Sequence, residues 1–224
     1  YIAEEWEFFG MPFKVGEGVL IPRQDTETLV EFLISRFKGK RGISVCDLCA
    51  GSGCIGIALE KNLNCENVTC VEFSDSAIKY LEENKILNNS NVKIVRGDVL
   101  NEDFVKTMGQ FDLIVSNPPY LTKEDMEALQ KEVTFEPEMA LFGGDDGLDF
   151  YRAIIGSYGK YLTEGGVMLF EIGCDQAKSV SAIAAEAGMR CEIFKDYNGN
   201  DRVAYLKYAD KSAIEDDIAD GIGI

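Results

Sequence analysis

The 224 residues are 46% hydrophobic and 27% charged, an ordinary globular composition that excludes disordered and fibrous classes and gives length for one or at most two domains. No histidine is present, which excludes Ser-His-Asp and Cys-His catalysis and His-ligated zinc. The net charge of −17, from 39 acidic against 22 basic residues, opposes nonspecific attachment to a phosphate backbone.

A domain of this length buries roughly 70% of its unfolded surface and needs no covalent staples. The seven cysteines are odd in number and irregularly spaced, so they do not read as a disulfide framework. Cys46 and Cys49 form a C-x-x-C, but neither a second pair nor a histidine completes a four-ligand site. They read as a buried strand residue and a small loop residue, with no metal. No apolar run approaches the ~18 residues of a membrane span and no signal-peptide pattern opens the chain, so a cytoplasmic protein is the expectation. The first residue is Tyr1, not Met, which points to a fragment or a processed chain.

Residues 1–21 alternate aromatic and aliphatic side chains around Gly10, Pro12, Gly16 and Gly18. The pattern predicts a short β-hairpin with strands at Glu5–Phe9, Phe13–Val15 and Val19–Ile21. Asp25 or Thr26 is the expected cap of a helix whose face carries Leu29, Leu33 and Phe37, backed by Val30 and Ile34. Gly39–Gly42 ends it.

From residue 43 strands and helices alternate. Strands are expected at Ile43–Leu48, Val68–Phe73, Val92–Val95, Phe111–Val115 and Val167–Ile172, with helices at Cys54–Lys61, Asp75–Asn89, Asp149–Leu162 and Asp175–Ala187. Gly165-Gly166 is the expected turn ahead of Val167. Two further strands, near Met189–Phe194 and Val203–Tyr208, are joined by a Gly/Asn/Asp-rich turn too short for a crossover helix, so they pair antiparallel. This α/β reading is similar to the Rossmann-like sheet of class I S-adenosylmethionine-dependent methyltransferases with its terminal antiparallel hairpin. The chain divides into a hairpin and lead-in helix over 1–40, the methyltransferase-like domain over 41–208, and an acidic, frayed tail over 209–224.

Ligands of open α/β sheets bind beyond the carboxyl ends of the strands. The first strand of the alternating series ends in Asp47-Leu48-Cys49-Ala50-Gly51-Ser52-Gly53, whose small residues let the backbone approach a ligand. This is not G-x-G-x-x-G, so a nucleoside without phosphate fits better than a pyrophosphate. The second strand ends in Glu72, an acceptor for both ribose hydroxyls. After the third come Asp98, an acceptor for an adenine amino group, and Val99, which packs on the ring. Together these three strand ends describe S-adenosylmethionine binding, with S-adenosylhomocysteine as product.

The fourth strand ends in Ser116-Asn117-Pro118-Pro119-Tyr120. Each proline fixes its own φ and holds the residue before it extended. The Asn117 side-chain carbonyl and the backbone carbonyls beside it then form fixed acceptors, suited to a planar –NH2 group with two donors. Tyr120 supplies a flat wall. Catalysis of this kind needs positioning and carbonyl dipoles more than a strong base, in keeping with a chain that lacks histidine. Amino-adenine, amino-cytosine and glutamine amide all satisfy the motif.

The flanking residues narrow that choice. Tyr1-Ile2, Trp6-Glu7-Phe8-Phe9-Gly10, Pro12-Phe13-Lys14-Val15 and the run Val19–Glu27 resemble the HemK/PrmC family of glutamine methyltransferases, which modify the Gly-Gly-Gln loop of peptide chain release factors. The likeness continues through Asn117-Pro118-Pro119-Tyr120, Glu136-Pro137, Ala140–Asp149, Glu171-Ile172-Gly173 and Asp201-Arg202-Val203, covering about residues 1–208. It implies cofactor contacts from Cys49–Gly53, Glu72, Asp98, Val99 and Asn117. It further implies that Asn117, Pro118, Pro119 and Tyr120 hold the glutamine, with Asn117, Pro118 and Tyr120 catalytic, and that Pro22–Glu27, including Arg23, Thr26 and Glu27, lines the pocket. The expected partner is the release factor, with no direct nucleic-acid or membrane contact and a monomeric enzyme. The other readings are a ribosomal-protein glutamine methyltransferase of the same family and a nucleic-acid adenine N6-methyltransferase. The helical N-terminal domain usual in the family does not fall within these 224 residues, and Cys49 and Ala50 stand where Gly and Thr are common.

Overall fold

The computed structural model describes residues 5–128 and 136–209. Tyr1-Ile2 and the acidic tail from residue 210 lie outside the described residues.

Strands whose two faces are both apolar need cover on both sides, and the central strands are of this kind. In β3 (Arg41–Leu48) the last four residues, Val45 to Leu48, are all buried. Parallel neighbours flank it, β4 (Asn64–Glu72) on one side and β6 (Phe111–Ser116) on the other. β5 (Lys93–Arg96) extends the sheet beyond β4, and β7 (Leu162–Glu171) lies beyond β6, both parallel. β9 (Asp201–Tyr208) inserts antiparallel between β7 and β8 (Met189–Lys195), giving the order β5-β4-β3-β6-β7-β9-β8. The chain reverses direction across the sheet between β3 and β6, which opens a crevice at their carboxyl ends.

Two apolar layers close the faces. One packs Leu29, Leu33 and Phe37 of α1 (Gln24–Phe37) and Ile57 and Leu59 of α2 (Cys54–Asn62) on Val45 and Leu113, together with Leu81 of α3 (Asp75–Leu87). The other packs Tyr151, Ile154 and Tyr158 of α6 (Asp149–Tyr158) and Val180 of α7 (Ala177–Glu186) on Cys46, Ile114 and Phe170. Two short helices, α4 (Glu102–Val105) and α5 (Lys123–Glu127), escape periodicity because one turn is too short to show it. Their caps are nonetheless legible: Asn101 accepts from Asp103 and Phe104, and Thr122 with Asp125 forms a capping box.

The N-terminal hairpin has two strands, β1 (Glu5–Phe8) and β2 (Met11–Lys14), joined at Phe9-Gly10. Phe9 belongs to the turn, with φ +52° beside Gly10 at +69°, the left-handed pair a two-residue loop requires. The expected third strand at Val19–Ile21 does not form. Val19 folds back through Gly16–Gly18 and is buried with Val15 against Ala77 of α3, so its apolar surface is satisfied by packing without pairing. The buried Asn84 side chain fastens the hairpin to the body: it accepts from Lys14 N at 2.6 Å and donates to Lys14 O and Ser52 O, each at 3.0 Å.

Two further expectations are corrected. Neither Asp25 nor Thr26 caps α1; Arg23 occupies that position and its side chain makes no capping hydrogen bond. Both residues are committed elsewhere, Asp25 to Arg202 at 3.3 Å and Thr26 to Glu171 at 2.6 Å. The helix expected over Asp149–Leu162 stops at Tyr158, and a single 3-10 turn leads directly into β7 at Leu162. Gly165-Gly166 lies inside β7, where the register jumps from Phe111↔Leu162 to Leu113↔Val167 and Gly165 takes φ +74°.

Candidate active site

The carboxyl ends of β3, β4, β5 and β6 surround a cavity of about 660 Å³, lined by Cys49–Ser52, Glu72–Ser74, Gly97–Leu100, Asn117 and Pro119. Its shape begins with the β3–α2 loop. Cys49 at φ +60° and Gly51 at +55° turn the chain twice within three residues, and Ala50 N donates to Val71 O at 3.0 Å. Cys49 holds a left-handed conformation that glycine adopts freely, so the loop keeps its path at some conformational cost. Gly53 is not among the cavity-lining residues. It stands behind the loop at φ +80°, and a Cβ there would lie 2.0 Å from Leu81 Cδ1. That close approach to Leu81 packs the start of α2 against α3.

Glu72 lines the cavity and also organises it. Oε2 accepts from Gly51 N at 2.7 Å, and Oε1 accepts from Phe73 N at 2.9 Å and Ser74 N at 2.8 Å. A carboxylate has about four acceptor directions, so one on Oε2 is left for a ligand hydroxyl. Asp98 spends Oδ1 on Leu100 N at 2.9 Å and keeps Oδ2. Val99 is buried and its carbonyl accepts from Tyr158 Oη at 3.4 Å. An apolar cavity with a few placed acceptors and exposed loop backbone suits a nucleoside-containing cofactor.

A second, smaller cavity of about 170 Å³ adjoins the first and is lined by Leu20, Arg23, Asn117, Pro118, Tyr120 and Glu171, among others. Asn117 borders both. Its Nδ2 donates to Thr26 Oγ1 at 3.3 Å, and Thr26 Oγ1 donates to Glu171 Oε2 at 2.6 Å. The tyrosine behind the prolines is clamped through its backbone, since Gln176 Nε2 donates to Tyr120 O at 3.0 Å and to Gly147 O at 3.2 Å. Only glycine fits at position 147: φ is +71°, and a Cβ would sit 2.3 Å from Tyr120 O.

Burial shapes the acidity of the site. Glu171 is pushed up to about 7, chiefly by desolvation, against the pull of Thr26, Arg202 and Tyr120. The same cause raises the Tyr120 hydroxyl and the Cys49 thiol, so both stay protonated at neutral pH. Cys46 is likewise buried and raised. A thiol of that kind is a poor nucleophile. Among the described residues no group of three or more metal-ligating side chains comes together.

The other expected site residues separate. Arg23 lines both cavities and pairs with the buried Glu136 at 2.6 Å, which ties the Pro22–Arg23 segment to Glu136. Thr26 lines the larger cavity. Glu27 lines neither; its Oε1 accepts from Phe9 N at 2.8 Å and holds the hairpin turn. Pro119 faces the larger cavity, whereas Pro118 and Tyr120 face the smaller one. The roles of Glu171, Gln176 and Phe73 escape sequence reasoning. Phe73 carries a signal, an exposed aromatic directly after the strand-ending acid; the buried polar pair carries none until β7 and α7 are docked.

Residues 23–139 match the methyltransferase small domain family. The chain is 45% identical over 218 residues to a release factor glutamine methyltransferase of Fusobacterium nucleatum, covering 95% of this chain and 60% of that protein. It is 44% identical to the enzyme of the same name from Thermodesulfovibrio yellowstonii, covering 92% of this chain and 75% of that protein. The chain belongs to the release factor glutamine methyltransferase family. A ribosomal protein uL3 glutamine methyltransferase of Francisella tularensis is 40% identical over 79% of the chain and 56% of that protein. Among solved structures, the protein-(glutamine-N5) methyltransferase of Alicyclobacillus acidocaldarius superposes with a TM-score of 0.53 at 29% identity, over 88% of this chain and all of that one. A Pyrococcus furiosus methyltransferase at 21% identity and TM-score 0.65 shares the fold, over 88% of each chain. The chain therefore spans 60% of the Fusobacterium relative and about three quarters of the Thermodesulfovibrio one. The matched family segment runs from the start of α1 to the Met139 side of the larger cavity, so it contains every strand end that lines it.

Proposed function

We propose that this chain transfers the methyl group of S-adenosylmethionine to the side-chain amide nitrogen of glutamine in the Gly-Gly-Gln loop of a release factor. The observation that carries the reading is the position of Asn117 on the wall between a cofactor-sized cavity and a smaller one lined in part by Arg23, Tyr120 and Glu171. S-adenosylmethionine supplies an electrophilic methyl on a sulfonium. Everything else falls to the chain. Glu72 and Asp98 offer acceptors to the nucleoside, and Cys49–Ser52 offers backbone. Asn117 donates to Thr26 through Nδ2, which leaves Oδ1 free to accept from a substrate. With the Pro118 carbonyl beside it, Oδ1 can hold both N–H bonds of a glutamine amide against Tyr120.

An amide nitrogen is a weak nucleophile because its lone pair is delocalised. Fixing it in line with the sulfonium methyl supplies the missing reactivity through orientation, and two carbonyl dipoles stabilise the positive charge that develops on nitrogen. Flanking glycines would let the acceptor loop enter at little steric cost. The −17 charge opposes DNA in the same place. We assign the reaction to a single chain in the cytoplasm, with a hairpin and lead-in helix over 1–40 ahead of a catalytic domain over 41–208; from the first part, residues between Gly18 and Thr26 line the larger cavity. No helix among the described residues is long and apolar enough to cross a membrane.

The test is a side-by-side labelling assay with release factor, the same protein with its loop Gln changed to Ala, ribosomal protein uL3, and DNA. Label confined to the loop glutamine is the expected result. Label on uL3 alone would move the substrate to the ribosome, as the Francisella relative's name suggests. Equal labelling of the loop variant, or label on adenine, would overturn the assignment.

A further inference from the structure

Glu171 is buried in the smaller cavity's wall, at the end of β7. Its Oε2 is the terminal acceptor of a two-step relay, Asn117 Nδ2 to Thr26 Oγ1 at 3.3 Å and Thr26 Oγ1 to Glu171 at 2.6 Å. A hydroxyl has one proton to give. Once Thr26 gives it to Glu171, only lone pairs face Asn117, and only the Nδ2 end of the amide can meet them. An amide rotated by half a turn would set Oδ1 against the Thr26 oxygen.

We infer that Glu171 is a positioning residue whose ionised carboxylate fixes the direction of this relay and thereby holds the Asn117 amide with Oδ1 toward the acceptor cavity. Protonated Glu171 can donate to Thr26 and release the hydroxyl proton toward Asn117, which allows the flipped amide with Nδ2 toward the cavity. That orientation presents a donor to a substrate –NH2 and repels it. Position and partner thus convert one proton on Glu171 into the polarity of the acceptor pocket.

The groups that face Glu171 set where the switch lies. From α1 come Thr26 and the Asp25 carboxylate; from β9, Arg202, which Asp25 and Asp196 also engage; from the segment after β6, the Tyr120 hydroxyl. From α6, Tyr151 Oη donates to the Glu171 backbone carbonyl at 2.8 Å and leaves the carboxylate alone. Burial outweighs the cationic Arg202 and pushes the carboxyl up to about 7.

The kinetic arm rests on the methyl-transfer reading; the spectroscopic arm does not. In isotope-labelled protein, the side-chain amide resonances of Asn117, assigned by their loss in Asn117→Ala, should shift with a midpoint at about 7. Glu171→Gln and Thr26→Val should abolish that titration, and Thr26→Ser should keep it. In turnover, kcat should fall on the acid side with the same midpoint, and Glu171→Gln should lower kcat at least ~10-fold, flatten that limb and leave the cofactor KM within about 2-fold. A wild-type Asn117 amide that does not titrate, or one that still titrates in Thr26→Val or Glu171→Gln, overturns the relay. Should Glu171→Gln fail to fold, the Thr26→Val and Thr26→Ser pair decides. A titrating amide in a protein that methylates no glutamine would leave the relay standing and sink the functional reading.

Discussion

Gly51 donates its backbone N–H to Glu72 Oε2 at 2.7 Å, so the acid at the end of β4 holds the loop that follows β3. With Phe73 N and Ser74 N the carboxylate gathers three backbone donors from two strand ends and keeps one acceptor direction open. A ligand hydroxyl adds to an acceptor already fixed in place, at little further entropic cost.

Glu72→Ala should therefore weaken S-adenosylmethionine binding by ~1.5–3 kcal/mol, the range for hydrogen bonds to a charged partner. Calorimetry on the folded variant measures it directly. Unchanged affinity would remove Glu72 from the cofactor site and leave it a loop brace only.

Asn117→Ala should cost at least ~10²-fold in methyl transfer, because the acceptor amide loses its near-attack geometry. Cofactor affinity should fall much less, since the β3–α2 loop, Glu72 and Asp98 keep their places. Parallel measurement of turnover and calorimetric affinity separates the two. Wild-type turnover in this variant would refute the two-acceptor account.

Glu27→Ala should lower stability by about 1 kcal/mol, through loss of the bond from Phe9 N that pins the hairpin turn. Cofactor affinity and the acceptor KM should not change. Urea titration and steady-state kinetics check both halves, and an acceptor KM raised by an order of magnitude would put Glu27 back in the pocket.

Asp47 gives a pH prediction. It is fully buried, its Oδ2 accepts from Gly56 N at 2.9 Å and its Oδ1 has no partner among the described residues. Desolvation first, then the nearby Glu72 charge, push its carboxyl up to about 8 from 3.8, with the Gly56 bond pulling the other way. Between those values the folded protein retains a proton that the unfolded chain has released. Stability from this group is fully present below the lower value and is lost as pH rises through the upper one. The urea midpoint should fall from about pH 5 to about pH 8.5, and Asp47→Asn, which can still accept from Gly56, should show a shallower fall. Glu171 adds in the same direction in both proteins, so the difference isolates Asp47. Parallel slopes would exclude it.

Much of this architecture is local and therefore written along the chain. The alternation of Val/Ile/Leu runs with capped helices fixes the β-α order, since each strand and helix buries its own apolar stripe at its own period. Strand-ending residues such as Glu72, Asp98 and Asn117 follow from that order, because side chains at carboxyl ends of parallel strands face one crevice. The prolines after Asn117 likewise constrain only their neighbours. What tertiary structure alone decided are the side chains whose partners lie far along the chain. Thr26 looks like a helix cap in its own neighbourhood, yet a buried carboxylate 145 residues away claims its proton. Glu27 belongs by sequence to the pocket segment, but the one-residue step from Thr26 turns it about 100° around α1, onto Phe9 and away from both cavities. Val19 has the apolar character of a strand and is buried on α3 before any edge can pair with it. Periodicity specifies which face of an element is buried; which polar atom meets which across two elements depends on their docking, and no local pattern contains that distance.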